Sequence, residues 1–478
     1  MTSPNLVALS LPTLRLSNDE KDMAARLRAK LQRVRLINLV KSDYYEGKRR
    51  VEDLGISIPP QLRDLAVSVG WPGTVVDVMD ELLTFTGWDD DGQDLGLEQV
   101  FRENWLTVES GRTHLDALVY GTAFVTVGRG TAGEPDVLVT AESTESCTAL
   151  WDYRARRVSA ALSQTRDEFG VVQLETLYLP NATIVFERKN GELIVVHRDT
   201  HNLGRPLVAQ FFNRDRASDP TGRSEITKPV IYYTDAALRT FLGMEVNREF
   251  YTAPQRYALN AEPETFGMSA DNSREENVRA GWAAAMGRLN VVPAQEDADG
   301  NPVKVEMGQY APAPPTPYVD QIKAYTQAIS SETGIPASML GFVTENPPSD
   351  GSIDNLKSRL NARVERRQDS LGMGWVQTSE LILLARDGRG ALTNLEPWRI
   401  SADWRPAATP TRAALADETA KLIGVNVLPP DSSVTLKRLN LTKPEQRQLE
   451  RDRRTASVTD LAARLRAAAN PAPESQGT

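Results

Sequence analysis

A chain of 478 residues, 40% hydrophobic and 25% charged, has the composition of an ordinary folded protein and room for about two to four domains of roughly 100–200 residues. No apolar run approaches the ~18 residues of a membrane span, and Met1-Thr2-Ser3-Pro4-Asn5 has no secretory-leader pattern. Cys147, the single cysteine, excludes an intrachain disulfide or a multi-cysteine metal cage and points to a reducing, cytoplasmic setting at synthesis, and the net charge of −9 argues against a chain that clamps nucleic acid over its whole surface.

Ser17-Asn18-Asp19-Glu20 is a capping-box pattern, and Met23, Leu27, Leu31 and Val34 follow at helical spacing, which predicts a helix to about Tyr45. Pro59-Pro60 and Trp71-Pro72-Gly73 read as punctuation. A further helix is expected from Leu97 to Tyr120, with Val100, Phe101, Trp105, Val108 and Leu115 toward a core. From Gly121 to Asn213 the pattern changes to short β-rich runs, among them a hairpin with Asn190-Gly191 at its turn. A long helix is expected over Thr227–Tyr251, because Pro229 is tolerated in a first turn and Leu238, Phe241, Leu242 and Val246 form a stripe.

Pro254–Pro317 is mixed, turn-rich and ends in a stiff proline-rich connector. The next helix carries Val319, Ile322, Tyr325 and Ile329 and stops at Gly334-Ile335-Pro336. A loop rich in Pro, Asn, Ser and Gly follows, and a second long helix starts near Ser352, with Ile353, Leu356, Leu360, Val364 and Leu371 on one face. Gly372 and Gly374 are expected to interrupt and bend it, since periodicity resumes at Leu381 and Leu384. After about Ala407 the chain is Ala-rich and helical over Ala413–Leu422 and Lys443–Arg466, and its last residues read as a disordered tail.

Catalytic patterns are weak throughout. Gly128-Arg129-Gly130-Thr131-Ala132-Gly133 matches GxGxxG, but Glu134-Pro135 and a β run follow it, so it reads as a hairpin turn rather than a phosphate-binding helix start. His197 and His201 lack the neighbouring Glu of a zinc-protease helix and read as solvated loop residues, and His114 reads as a helix-surface or packing residue. The acidic run Asp89-Asp90-Asp91-Gly92-Gln93-Asp94 lacks an EF-hand's bidentate glutamate and reads as a solvated loop. Lys357, Arg359, Arg363, Arg366 and Arg367 form a basic stretch softened by Asp354, Glu365 and Asp369. It suits either a solvated or subunit-facing helix surface or a face toward nucleic acid. An enzyme is not expected, nor a cofactor or metal.

The ordered set "DYYEGKRR" from Asp43, "SETGIPASMLGFVTENPPSDGSIDNLKSRL" over Ser331–Leu360 and "WRISADWRPAATPTRAALADETAKL" over Trp398–Leu422 resembles the portal proteins of long-tailed bacteriophages of Gram-positive and actinobacterial hosts. The resemblance implies an α+β, mainly helical protomer with wing, stem, clip and crown regions. It also implies a virion location at one capsid vertex, after assembly in the host cytoplasm. On that pattern 1–16 is an N-terminal arm, 17–224 the wing, 225–253 and 318–334 the two stem helices, and 254–317 the clip. The tunnel loop is then 335–352, 353–406 a long bent helix returning to the wing, 407–466 the crown and 467–478 a tail.

The implied function is a DNA conduit for packaging, head–tail joining and ejection, built as a ring of about twelve subunits. The implied partners are double-stranded DNA, the terminase motor, a head-completion or adaptor protein, and the major capsid and scaffolding proteins, with no membrane. Gly341, Phe342, Val343, Thr344, Glu345, Asn346, Pro347, Pro348 and Ser349 become the channel-loop residues. No Lys or Arg lies between Pro336 and Ser352, so DNA-facing or inter-subunit basic contacts are assigned to Lys357, Arg359 or Arg363. Another head–tail structural protein, or a nucleotide-binding enzyme using Gly128–Gly133, are the alternatives.

Overall fold

The computed structural model describes residues 15–49, 67–189, 192–218, 221–252, 256–260, 263–286, 295–296, 302–303, 306–309, 311, 314–341, 350–392, 397–408, 412–430, 432–439, 441 and 443–469. The chain divides into two compact units, Met1–Trp404 and Arg405–Thr478. The class is α+β and mainly helical. The first unit holds a five-stranded antiparallel sheet in the order β4 (Cys147–Asp152), β5 (Arg157–Arg166), β6 (Val172–Tyr178), β7 (Thr183–Lys189), β8 (Glu192–Asp199), and a three-stranded sheet in the order β3 (Val137–Glu142), β2 (Thr122–Arg129), β9 (Val208–Phe212).

Helix α1 (Asn18–Tyr45) begins where the capping box predicts. The Ser17 hydroxyl accepts the Glu20 N–H at 3.2 Å, and the Glu20 carboxylate accepts the Ser17 N–H at 2.8 Å. Its Ala24 and Leu27 pack on the five-stranded sheet against Leu162 of β5 (Arg157–Arg166), Leu177 of β6 (Val172–Tyr178), Ile184 and Phe186 of β7 (Thr183–Lys189) and Val195 of β8 (Glu192–Asp199). Strands β7 and β8 pair antiparallel as expected, and the Asn190-Gly191 turn lies outside the described residues.

A second core joins the two sheets. Phe124 of β2 (Thr122–Arg129) and Val208 of β9 (Val208–Phe212) meet Cys147 and Ala149 of β4 (Cys147–Asp152) and Val158 and Ala161 of β5. Cys147 is therefore a packing residue, and burial pushes its thiol pKa up.

The expected helix over Leu97–Tyr120 is two helices, α3 (Leu97–Glu103) and α4 (Leu106–Tyr120). Asn104 causes the break. Its side-chain amide donates to the carbonyls of Val100 at 3.0 Å and Val137 at 2.8 Å, and its side-chain oxygen accepts the Val139 N–H at 2.8 Å. Val137 and Val139 belong to β3 (Val137–Glu142), the edge of its sheet, so Asn104 completes a ladder that would otherwise be open. Trp105 then adopts φ 52° and is 75% exposed, and Val108 is exposed too, so neither faces the core.

Three short elements were not legible as such. Trp71-Pro72-Gly73 opens α2 (Trp71–Asp80), where Pro72 sits in the tolerated first turn. A Cβ on Gly73 would lie 2.9 Å from the Tyr45 carbonyl, so glycine lets α2 meet the end of α1. Strands β1 (Phe85–Asp89) and β14 (Ser401–Trp404) pair across most of the sequence.

Helix α8 (Asp350–Asp387) continues through Gly372 and Gly374, as the resumed periodicity at Leu381 and Leu384 implied. These glycines serve close approach. A Cβ on Gly374 would overlap the Phe211 ring of β9, and one on Gly372 would stand 3.4 Å from Ala402 and Trp404 of β14. Gly374→Ala is therefore expected to cost about 1–3 kcal/mol by overpacking, read from a shifted denaturation midpoint. Gly111→Ala on α4, where a Cβ meets nothing within 4 Å, should be neutral or mildly stabilising.

In the second unit, α9 (Arg412–Gly424), α10 (Ser433–Arg438) and α11 (Lys443–Ala469) bear out the Ala-rich helical reading. Leu436 and Thr435 of α10 are buried there.

Candidate functional site

Two long helices form an antiparallel hairpin. In α5 (Lys228–Thr252) and α7 (Thr316–Thr333), Gly243 lies beside Tyr318, Thr240 beside Gln321, and the Tyr233 and Tyr325 rings are 6.2 Å apart. Falling numbers on one helix match rising numbers on the other, as an antiparallel pair requires. Ala237 and Leu238 are buried at this seam with Val69, and Trp71, Phe241, Leu242 and Tyr325 pack around them. At the far end β10 (Arg256–Leu259) pairs with β13 (Glu306–Gln309), and α6 (Arg274–Met286) and the paired β11 (Gln295–Glu296) and β12 (Pro302–Val303) lie between them in sequence.

The near end of α7 is where the chain turns toward α8. A helix leaves its last four carbonyls without intrahelical partners, and here each finds one. Ser330 O accepts the Gly334 N–H at 2.8 Å. Ser331 O accepts Arg359 Nη1 at 2.9 Å, Glu332 O accepts Arg363 Nη2 at 2.8 Å, and Thr333 O accepts Arg363 Nη1. Two cations at a helix C-terminus also complement its dipole. Gly334 stands at φ 73°, the left-handed cap that favours glycine, and a Cβ there would lie a tight 3.3 Å from the Arg359 side chain. Burial and the neighbouring Arg359 cation hold the Arg363 pKa below its ordinary value.

The same face of α8 continues one turn on to Arg367, which is buried. Its guanidinium donates to Glu225 Oε1 at 2.7 and 3.0 Å, and Glu225 is itself 4% exposed. Asn213, just after β9, donates to Glu225 at 3.1 Å, and Arg214 lies 3.4 Å from the same carboxylate. Ser224 donates to the Val119 carbonyl of α4 at 2.5 Å. The base of α5, the end of β9 and the first half of α8 thus share one buried charged joint. The spacing of Arg359, Arg363 and Arg367 at four residues marks one helix face in the sequence. Glu225, Asn213 and Arg214 gave no comparable signal, because their role depends on long-range contacts.

Gly341 is described, at φ 87°, after the short 3₁₀ turn Ala337–Leu340. Phe342, Val343, Thr344, Glu345, Asn346, Pro347, Pro348 and Ser349 lie outside the described residues. Lys357 is half-buried on α8. Arg359 and Arg363, expected to face DNA or a neighbour, donate to α7, Arg359 through one nitrogen and Arg363 through two.

The remaining motifs resolve physically. Gly128 and Arg129 end β2, paired with Leu138 and Val137 of β3, and Gly130–Gly133 opens the turn between the strands, where a Cβ on Gly130 would overlap the Pro135 carbonyl. His197 lies on β8 rather than in a loop, and His201, whose Nδ1 accepts the Leu203 N–H at 3.2 Å, is half-buried. In the acidic loop Asp90 accepts the Leu95 N–H at 2.9 Å and Asp91 pairs with Arg399 at 2.7 Å.

His114 is a packing residue: its Nε2 accepts the Trp375 indole N–H at 2.9 Å, and burial pushes its pKa down to about 3. Native His114 stays neutral while the unfolded chain binds a proton, so its contribution is full above about pH 6.5 and lost as pH falls from there toward 3. The loss is expected to be on the order of a few kcal/mol. Denaturation at several pH values, compared with His114→Phe, isolates it from Asp116, whose pKa is raised by burial to about 6 and which acts in the opposite direction.

The site is a junction, buried at Arg367 and Glu225, in which cations, carboxylates and helix carbonyls bond to one another. The family described as "Phage portal protein, SPP1 Gp6-like" matches residues 28–456. The portal protein of Mycobacterium phage D29 is 30% identical over 393 residues, covering 80% of this chain and 78% of that protein. That of Mycobacterium phage L5 is 30% identical over 396 residues, with the same coverage. A chain from the neck of an empty GTA particle, computed with C6 symmetry, aligns over 81% of this chain and 95% of its own, at 12% identity and TM-score 0.41. The chain belongs to the phage portal protein family.

Proposed function

We propose that this chain is the repeating subunit of a ring-shaped DNA conduit at one capsid vertex, serving packaging, head–tail joining and ejection. The observation that carries the reading is the match to one portal family over residues 28–456. In this reading the two-sheet body with α1–α4 is the wing, the α5/α7 hairpin the stem, and the segment between those helices, including β10 and β13, the clip. The second unit is the crown. Residues 341–349 line the channel, and their lack of Lys and Arg suits a wall past which DNA must slide rather than stick. The ring, of about twelve copies, is a virion component that meets the terminase motor, an adaptor, and capsid and scaffolding proteins.

Inactivating the gene in the phage that encodes it is the test. Capsids without packaged genome are expected, and normal DNA-filled heads would overturn the reading. Deleting Phe342–Pro348 tests the loop separately: assembly should persist and packaging fall, whereas packaging at the unmodified level would remove the channel-loop assignment.

A further inference from the structure

The α5/α7 hairpin is tied to the two-sheet body at its base by more than chain connectivity. Helix α8 packs on β9 through Gly374 and Phe211, and on β14 through Gly372. Arg367 fastens it again to Glu225, beside the start of α5. On the same face, Arg359 and Arg363 hold all three α7 carbonyls that Gly334 does not cap. Beyond α7, Ser330 Oγ donates to the Ile335 carbonyl at 2.7 Å, and the Ile335 N–H donates to Thr333 Oγ1 at 3.3 Å. Ile335 and Leu340 are buried. The turn out of α7 is therefore built onto a helix end whose open carbonyls are closed by side chains of α8.

We infer that Arg359 and Arg363 are positioning residues that register the carboxyl end of α7 to α8, so that the end of the hairpin and the two-sheet body move as one unit. The planar fork of Arg363 bridges two successive carbonyls, which a lysine ammonium does not reproduce. Arg367, held by Glu225, fixes the helix turn from which the other two arginines reach. The inference deepens the proposed function and rests on it only in naming the hairpin as the stem of the conduit.

Hydrogen exchange on the full chain tests the clamp, comparing the unmodified protein with Arg359→Ala/Arg363→Ala and with Arg363→Lys. Without the clamp the last turn of α7 frays, and amides in peptides spanning 325–341 should exchange at least about tenfold faster. Peptides covering β2 and β9 should be unchanged. The lysine variant, which keeps Arg359 and the charge at 363 but carries that charge on a single nitrogen that cannot span both carbonyls, should fall between the two. Unchanged exchange at 325–341 in the double alanine variant overturns the inference, as does an equal rise across β2 and β9, which would signal general loosening. Packaged DNA is scored with the same variants. Fast exchange with normal packaging would remove the hairpin's role in the conduit and leave the clamp, whereas unchanged exchange would remove the clamp and leave that role standing.

Discussion

Glu225→Ala is expected to destabilise the protein by about 3–5 kcal/mol, because it strands the Arg367 cation in the interior. Arg367 and Glu225 side chains are 8% and 4% exposed, so neither water nor salt can take the missing partner's place without opening the joint. Asn213 loses an acceptor in the same step, and Arg214 loses its nearby anion. The pair's net worth is a different quantity, since desolvation opposes its attraction. Glu225→Leu combined with Arg367→Met should therefore recover much of the loss, as replacing both buried charges often does. Urea denaturation at fixed protomer concentration measures both, the fixed concentration being needed because assembly shifts apparent stability. A cost below about 1 kcal/mol for Glu225→Ala would place the pair in the class of solvated surface bridges.

Trp375→Ala should cost a similar amount, about 3–5 kcal/mol, through the cavity it leaves. Trp375 is fully buried and stacks on Phe85 with centroids 4.5 Å apart, while Phe211 meets it edge-on at 4.9 Å. Its indole N–H satisfies His114 Nε2, and its carbonyl accepts the Trp88 indole N–H at 2.8 Å. Trp375→Phe separates the two contributions. It keeps most of the packing but leaves His114 Nε2 without its donor, a penalty of about 1–3 kcal/mol for an unsatisfied buried polar group. A tolerated Trp375→Ala, seen as an unchanged denaturation midpoint, would mean that this aromatic cluster does not hold α8 to the body.

The long helices were legible because periodicity and caps agree locally. Ser17 and Glu20 mark the start of α1, and Gly334 marks the end of α7, each through interactions within four residues. What failed was long-range. Asn104 breaks an otherwise periodic helix to serve a strand edge more than 30 positions away, and nothing in the local pattern announces that exchange. Gly372 and Gly374 read only as a bend, because their use, close approach to β14 and β9, lies on other elements. The basic stretch on α8 was visible as charge, but that Arg359 and Arg363 reach backbone carbonyls and Arg367 a buried glutamate is not something composition reveals. Strands β1 and β14 were missed for the same reason: each is short, and their pairing joins Phe85 to Trp404 across the body.

Single-particle imaging of the purified full-length chain tests the central claim most directly. The account predicts closed rings with a central hole wide enough for duplex DNA, the α5/α7 hairpins arranged around it and residues 341–349 facing it. Persistent monomers at high protein concentration, or closed assemblies without an axial hole, would contradict it.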